Sequence, residues 1–209
     1  MRWGIVALAL LLATAARAQP SAFPVFPLAI AVAEESGVPV VDDAWLAAEI
    51  EQANTIFAPS GVSFEQRSRR ALDARFTRLE TRADRHALGE EMTPSRVNVF
   101  IVLSLRDMDD PTLMRRGVHW RPAGVPGAHF VVVASVAGPD VLAHELGHFF
   151  GNPHSNTPND VMSYLRDGTV TPFFEPAELG RIRRNARRFR QRGEIELDRS
   201  ARRSRAVDP

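Results

Sequence analysis

The stretch Ala143–Asp167, AHELGHFFGNPHSNTPNDVMSYLRD, gathers three histidines, a glutamate and a methionine into one short run. A helix opened by Gly138-Pro139-Asp140, with Pro139 at an N-terminal position that needs no amide donor, carries His144 and His148 four residues apart. Their imidazoles then project from one face, one turn apart, at a separation that a single metal can bridge. Leu142, Leu146 and Phe149 fall on other faces and can anchor the helix in a core. Gly151 comes three residues after His148, where a left-handed glycine commonly ends a helix, and Asn152-Pro153 prevents it from resuming. The resulting turn can bring His154 to the same metal. Three neutral imidazoles and one water make a tetrahedral zinc site with an exchangeable position, the arrangement of catalytic rather than structural zinc. One Zn2+ ion is therefore expected on His144, His148 and His154. The alternative, solvated histidines on a surface helix, must explain a constellation that arises in roughly two of 100,000 chains of this composition.

Outward from this stretch, the chain reads as strands and helices in alternation. Residues 27–35 (PLAIAVAEE) form a short apolar run with the character of a buried strand. From Asp42 to Phe57, Trp45, Leu46, Glu49, Ile50, Ala53 and Phe57 recur at helical spacing behind a capping aspartate. VSFEQ (62–66) alternates like a strand. Residues 67–95 are rich in arginine and acid, and Leu72, Phe76 and Leu79 are spaced i, i+4, i+7, as in one surface helix or a structured insertion. RVNVFIVLSL (96–105) is β-branched and apolar enough for mid-sheet. GVHW (117–120) and AHFVVVAS (128–135) are further strands, the former a candidate edge. Leu179, Ile182, Ala186 and Phe189 make an apolar stripe on a late helix. This order predicts an α/β (α+β) domain with a mixed, mostly parallel sheet, an active-site helix and a small C-terminal subdomain ending in a helix.

The 209 residues, 44% of them hydrophobic, suffice for one compact domain. Residues 1–18 combine Arg2, an apolar run from Ile5 to Ala16 and a small-x-small site, Ala16-Arg17-Ala18. That is the pattern of an export signal, and the run is shorter than the roughly 20 residues a membrane span requires. The expected mature domain is 19–209, in a secreted or periplasmic setting, with no membrane span once the signal is removed and 193–209 as a flexible tail. The chain has no cysteine, which excludes disulfides and thiolate metal ligands. Net charge is +1, and all 26 basic residues are arginine. The arginines in RIRRNARRFRQR (181–192) are expected to face water on a packed helix, so nucleic acid is not an expected partner.

H-E-x-x-H-x-x-G-x-x-H followed by a methionine turn resembles the signature of the metzincins, a clan of zinc peptidases. Here it reads His144, Glu145, His148, Gly151, His154 and then Met162 in NDVMSY. The short gap between His154 and Met162 resembles that of compact, pappalysin-like members. The resemblance implies a zinc endopeptidase in which Glu145 is the general base, Met162 floors the metal site and Gly151 turns the chain. It also implies that Tyr164, the chain's one tyrosine, either stabilises the oxyanion or packs beneath the site. The implied partner is a peptide or protein substrate, taken by a monomer. A second reading keeps the metal but uses the fold to bind a peptide without cutting it. His119 and His129 lack a third partner at metal spacing and are expected to be satisfied or solvent-facing, and His86 is expected at the surface.

Overall fold

The computed structural model describes residues 24–125 and 127–196; residues 1–23, which contain the expected export signal, and 197–209 lie outside them. In chain order the elements are β1 (Val25–Val32), β2 (Glu34–Glu35), β3 (Val38–Pro39), α1 (Asp43–Phe57), β4 (Ser63–Ala71), β5 (Arg78–Leu79), α2 (Arg82–Ala87), β6 (Val97–Val102), β7 (Ser104–Leu105), β8 (Gly117–Trp120), β9 (Phe130–Ala134), α3 (Val141–Phe149) and α4 (Pro176–Arg192). Five strands form the main sheet in the order β4-β1-β6-β9-β8. The first four run parallel, and β8 pairs antiparallel with β9, so the sheet is mixed and mostly parallel, as expected.

Side chains alternate across this sheet with period two, and both faces are covered. Phe26, Leu28, Ile30 and Val32 of β1, Val97, Val99 and Ile101 of β6, and Val131 and Val133 of β9 face a core completed by α1, α3 and α4. Ala31, Phe100, Val102, Phe130 and Val132 face a second core closed by Leu72, Phe76, Leu79, Leu88 and Leu105. The first core centres on aromatic rings. Phe150 meets Phe26 edge to face at 5.1 Å, and Phe57 meets Phe64 and Phe174 in the same manner at 4.9 and 4.8 Å.

The segment 67–95 corrects the helical reading of its spacing. Residues through Ala71 extend β4, and Leu72, Phe76 and Leu79 lie on turns and a short strand rather than on one helix. What they share is burial against the second sheet face, so the stretch is a structured insertion. β4 carries Arg67, Arg69 and Arg70 along the sheet's outer edge, charges that discourage edge-to-edge pairing. The break at Leu103 ends β6 earlier than expected, because Leu103 N–H bonds Thr77 and starts the β7–β5 pair.

Two devices fix the active-site helix. Asp140 is its N-cap residue but caps nothing with its own side chain, and Pro139 lies one position outside. Instead Asp140 accepts from Gln52 Nε2 of α1 at 3.0 Å and pairs with Arg166 at 3.0 Å. Helix α4 ends at Gly193, which caps it in a left-handed conformation. Beyond it, three residues of the expected flexible stretch are described and docked: Ile195 is buried, and Glu196 N–H bonds Ser95 O.

Glu49 of α1 is buried beside the first turn of α3, where its carboxylate takes a hydrogen bond from the Leu142 amide. Burial pushes it up from 4.5 to about 7; the Leu142 bond opposes this and the Asp140 charge adds to it. Between those values the folded protein holds a proton that the unfolded chain has released. The stability so gained is full below about pH 4.5 and is lost as pH rises through 7. Glu49→Gln should therefore gain stability relative to the parent as pH rises from 5 to 8, read from urea midpoints. A difference between the two proteins that stays flat with pH would refute the assignment.

Candidate metal centre

The helical turn that ends α3 brings the third histidine in. Gly151 adopts φ +88°, its N–H bonds His148 O at 2.9 Å, and Asn152 N–H reaches back to Gly147 O at 3.0 Å. This double bond pattern is a Schellman end, and it reverses the chain so that His154 returns beside the helix. His144, His148 and His154 each present one nitrogen within 4.8 Å of the others. His148 Nε2 lies 3.1 Å from Nε2 of His144 and 3.1 Å from Nε2 of His154.

Proton placement decides what these nitrogens can do. His144 Nδ1 is 2.7 Å from Val161 O and His148 Nδ1 is 2.7 Å from Asn152 O, so each Nδ1 carries the hydrogen and donates it to a carbonyl. Burial pushes His144 down to about 4 and lowers His148 and His154 as well. Neutral rings with the proton on Nδ1 leave bare lone pairs on Nε2. Two such lone pairs about 3 Å apart repel, and their spacing is close to the edge of a tetrahedron of nitrogens about 2.0–2.1 Å from zinc. The residues therefore fit a divalent metal held by His144, His148 and His154, with backbone carbonyls as the outer supports common at such sites.

The floor is built by close approach. Met162 is fully buried, and a Cβ added to Gly147 would lie 2.3 Å from its sulfur. The turn carrying Met162 is held by Asp160, whose Oδ1 accepts the Met162 amide at 2.8 Å, and by a Val161 amide bond to Phe173 O at 2.8 Å. Helix α4 braces the Schellman end of α3. Asn185 Nδ2 donates to Phe150 O at 2.6 Å and Arg181 Nη1 to Asn152 Oδ1 at 2.9 Å.

Glu145 is 5% exposed and lies beneath β8. Burial pushes its carboxyl up to about 8, opposed by a hydrogen bond from the His119 amide and by the charges of Arg115 and Arg85. Gly117, at the start of β8, approaches so closely that a Cβ there would lie 2.8 Å from Glu145 Oε1. The Tyr164 hydroxyl is 2.9 Å from His154 Nε2, and the ring is 68% exposed, which rules out plain packing beneath the site. Arg115 pairs through Nε with the buried Asp107 carboxylate, itself bonded by the amides of Asp109 and Asp110 at 2.8 and 3.3 Å.

The cleft over these residues has two parts. One, about 500 Å³, runs past Trp120, His119, Arg82 and Arg85; the other, about 580 Å³, runs past Met114, Arg116, Pro139, Val141 and Ser163. A larger open groove of about 850 Å³, between α1 and β4, carries no histidine.

Every residue of the expected metal and catalytic set converges here. His119 and His129 do not join it: they bond each other, Nε2 to Nδ1, at 2.8 Å, and His129 stacks on Phe149 at 3.9 Å. Burial pushes them to about 3 and 4, so they form a neutral, satisfied pair. His86 is not a free surface residue. Its Nδ1 accepts from Trp120 Nε1 at 3.2 Å and from the Ala123 amide at 2.9 Å, tying the end of β8 to α2. Gly117, Gly147, Arg115 and Asp107 escaped sequence reasoning. Only the glycine inside the H-E-x-x-H segment carried a signal, since glycine inside a helix costs stability and implies a packing reason.

Neither a protein-family model nor a curated protein matches this sequence. Solved structures do match. Mature mirolysin from Tannerella forsythia, in complex with a cleaved peptide, aligns over 85% of this chain and 100% of its own, with a TM-score of 0.58 at 12% identity. Metalloproteinase-II from Bacteroides fragilis aligns over 80% of this chain and 55% of its own, with a TM-score of 0.54 at 12% identity. Archaemetzincin from Methanopyrus kandleri aligns over 81% and 99%, with a TM-score of 0.51 at 16% identity. The chain has a metzincin-like zincin fold.

In an ordinary helix Gly→Ala gains roughly 0.5–1 kcal/mol. At Gly147 the methyl must displace the Met162 sulfur, so Gly147→Ala should instead cost about 1–3 kcal/mol. Denaturant midpoints check the sign, and an unchanged or raised midpoint would show that Met162 does not press on the helix.

Proposed function

We propose that this chain is an exported zinc-dependent endopeptidase. The observation that carries the reading is the convergence of three imidazole Nε2 atoms beside a buried glutamate, in an open cleft beneath a sheet edge. Bound zinc would supply a Lewis acid for the scissile carbonyl and lower the pKa of its water towards about 7. His144, His148 and His154 would hold the ion. Glu145 accepts the proton of the attacking water and delivers it to the leaving amine. The Tyr164 hydroxyl, already within reach of the ligand sphere, donates to the developing oxyanion.

Substrate binding follows from the sheet. β8 pairs with β9 on one side only, so its other edge offers backbone amides and carbonyls to an extended peptide. Gly117 keeps that edge low over Glu145, so an extended peptide paired with it would run past the three histidines. No helix among the described residues is long and apolar enough to cross a membrane. Export rests on residues 1–18. N-terminal sequencing of protein recovered outside the cytoplasm should begin at Gln19, and a chain that keeps Met1 there would contradict it.

The purified chain loaded with zinc should cut a diverse peptide mixture, and a chelator should stop it. Glu145→Ala should keep its metal while turnover falls about 100-fold or more, the usual worth of a general base. Zinc content and cut sites by mass spectrometry read both. Intact peptides with the zinc-loaded parent, or undiminished turnover in the variant, would overturn the respective assignment.

A further inference from the structure

The two parts of the cleft share five lining residues: Arg115, Gly117, His144, Glu145 and Tyr164. An extended peptide that fills both parts has its central bond at this junction. His144 holds the metal there, Glu145 handles the proton, Tyr164 offers a hydroxyl and Gly117 makes room. Arg115 is the one junction residue without a role in the reading above. We propose that Arg115 is a catalytic residue that donates hydrogen bonds to the carbonyl oxygen of the scissile bond and to the oxyanion that forms from it. This inference rests on the peptidase reading.

Three observations support it. The guanidinium is positioned in advance: its Nε is engaged by Asp107, whose other oxygen is held by two backbone amides, so little freedom is lost when the remaining N–H groups meet a substrate oxygen. Among the described residues no second carboxylate pairs with it, and its side chain is 46% exposed toward the cleft. Its guanidinium also hydrogen-bonds the Tyr164 hydroxyl, which lies 2.9 Å from His154 Nε2. A fixed cation joined to that hydroxyl is placed to stabilise negative charge that develops beside it.

The bonds balance as follows. Water loses a proton to Glu145 as its oxygen bonds the carbonyl carbon, and the C=O π pair moves onto the oxygen facing Arg115 and Tyr164. The pair then returns, the C–N bond breaks, and the amine nitrogen takes the proton from Glu145. Arg115 donates hydrogen bonds throughout and transfers no proton.

The test uses the zinc-loaded full chain with Arg115→Ala and Arg115→Lys, on an uncharged peptide that the parent cuts and on the same peptide with acidic flanks. Removing one oxyanion donor predicts a fall in kcat of about 100-fold for Arg115→Ala, with KM nearly unchanged. Arg115→Lys, or methylguanidinium added to Arg115→Ala, should restore part of the rate. Affinity for a phosphinic peptide, which mimics the tetrahedral oxyanion, should fall in parallel with kcat while affinity for an uncleaved peptide does not. Undiminished kcat on the uncharged peptide overturns the proposal. So does a loss confined to KM for acidic peptides, which would make Arg115 a specificity contact. So does a loss explained by missing zinc, with no rescue by lysine or methylguanidinium. A parent chain that cuts nothing sinks the peptidase reading itself, whereas a parent that cuts and an Arg115→Ala that equals it sinks this inference alone.

Discussion

The metal centre depends on two carbonyl oxygens. Val161 and Asn152 each accept the Nδ1 proton of a helix histidine, and by fixing that proton they fix where the lone pairs point. An imidazole free to rotate or to change tautomer would present a hydrogen to the centre as readily as a lone pair. The two carbonyls come from segments that have no regular structure of their own: the methionine turn and the Schellman end of α3. Their rigidity is borrowed. Asp160 and Phe173 hold the first, and Arg181 and Asn185 of α4 hold the second. The arginine-rich helix thus has a structural task on one face, with Ile182, Ala186 and Phe189 seated in the core beside it.

Close approach is the second requirement, and glycine meets it twice in different settings. At Gly147 a helix must sit on a methionine; at Gly117 a strand must sit on a carboxylate. In each case the missing Cβ would occupy space that a functional atom already fills. The result is a thin stack of sheet edge, helix and methionine turn, in which Glu145 and His144 are buried while His148 is half-buried and His154 is exposed.

The sheet core, the helices α1, α3 and α4 and the three metal ligands were legible because their signals are local. β-branched runs, helical spacing and the i, i+4 histidines need no knowledge of distant chain. What failed was equally physical. Leu72, Phe76 and Leu79 share a helical period by coincidence, since each is buried against the same sheet face by turns that the period does not encode. His86 reads as a surface residue in its charged surroundings, yet it accepts two donors from a strand end more than 30 residues away. Arg115 lies in an ordinary polar loop; only the fold reveals that the loop ends at the junction of the cleft.

Asp107 links that loop to the electrostatics of the base. One carboxylate, held below the ordinary range first by the Asp109 amide and further by Asp110 and Arg115, acts on two guanidinium groups. Arg115 is paired with it directly; Arg85, 3% exposed and set over the Trp120 ring at 4.9 Å, feels its charge from within the insertion. Both arginines in turn oppose the effect of burial on Glu145. A carboxylate taken out of water resists ionising, whereas a base must be ionised to accept a proton. The cations, the His119 amide and a metal ion on the adjacent imidazoles all act in one direction, returning the buried glutamate toward the charged form. Burial alone would make Glu145 an acid. The insertion that carries Arg85 and the loop that carries Arg115 oppose that effect, and with both in place the carboxyl stands at about 8.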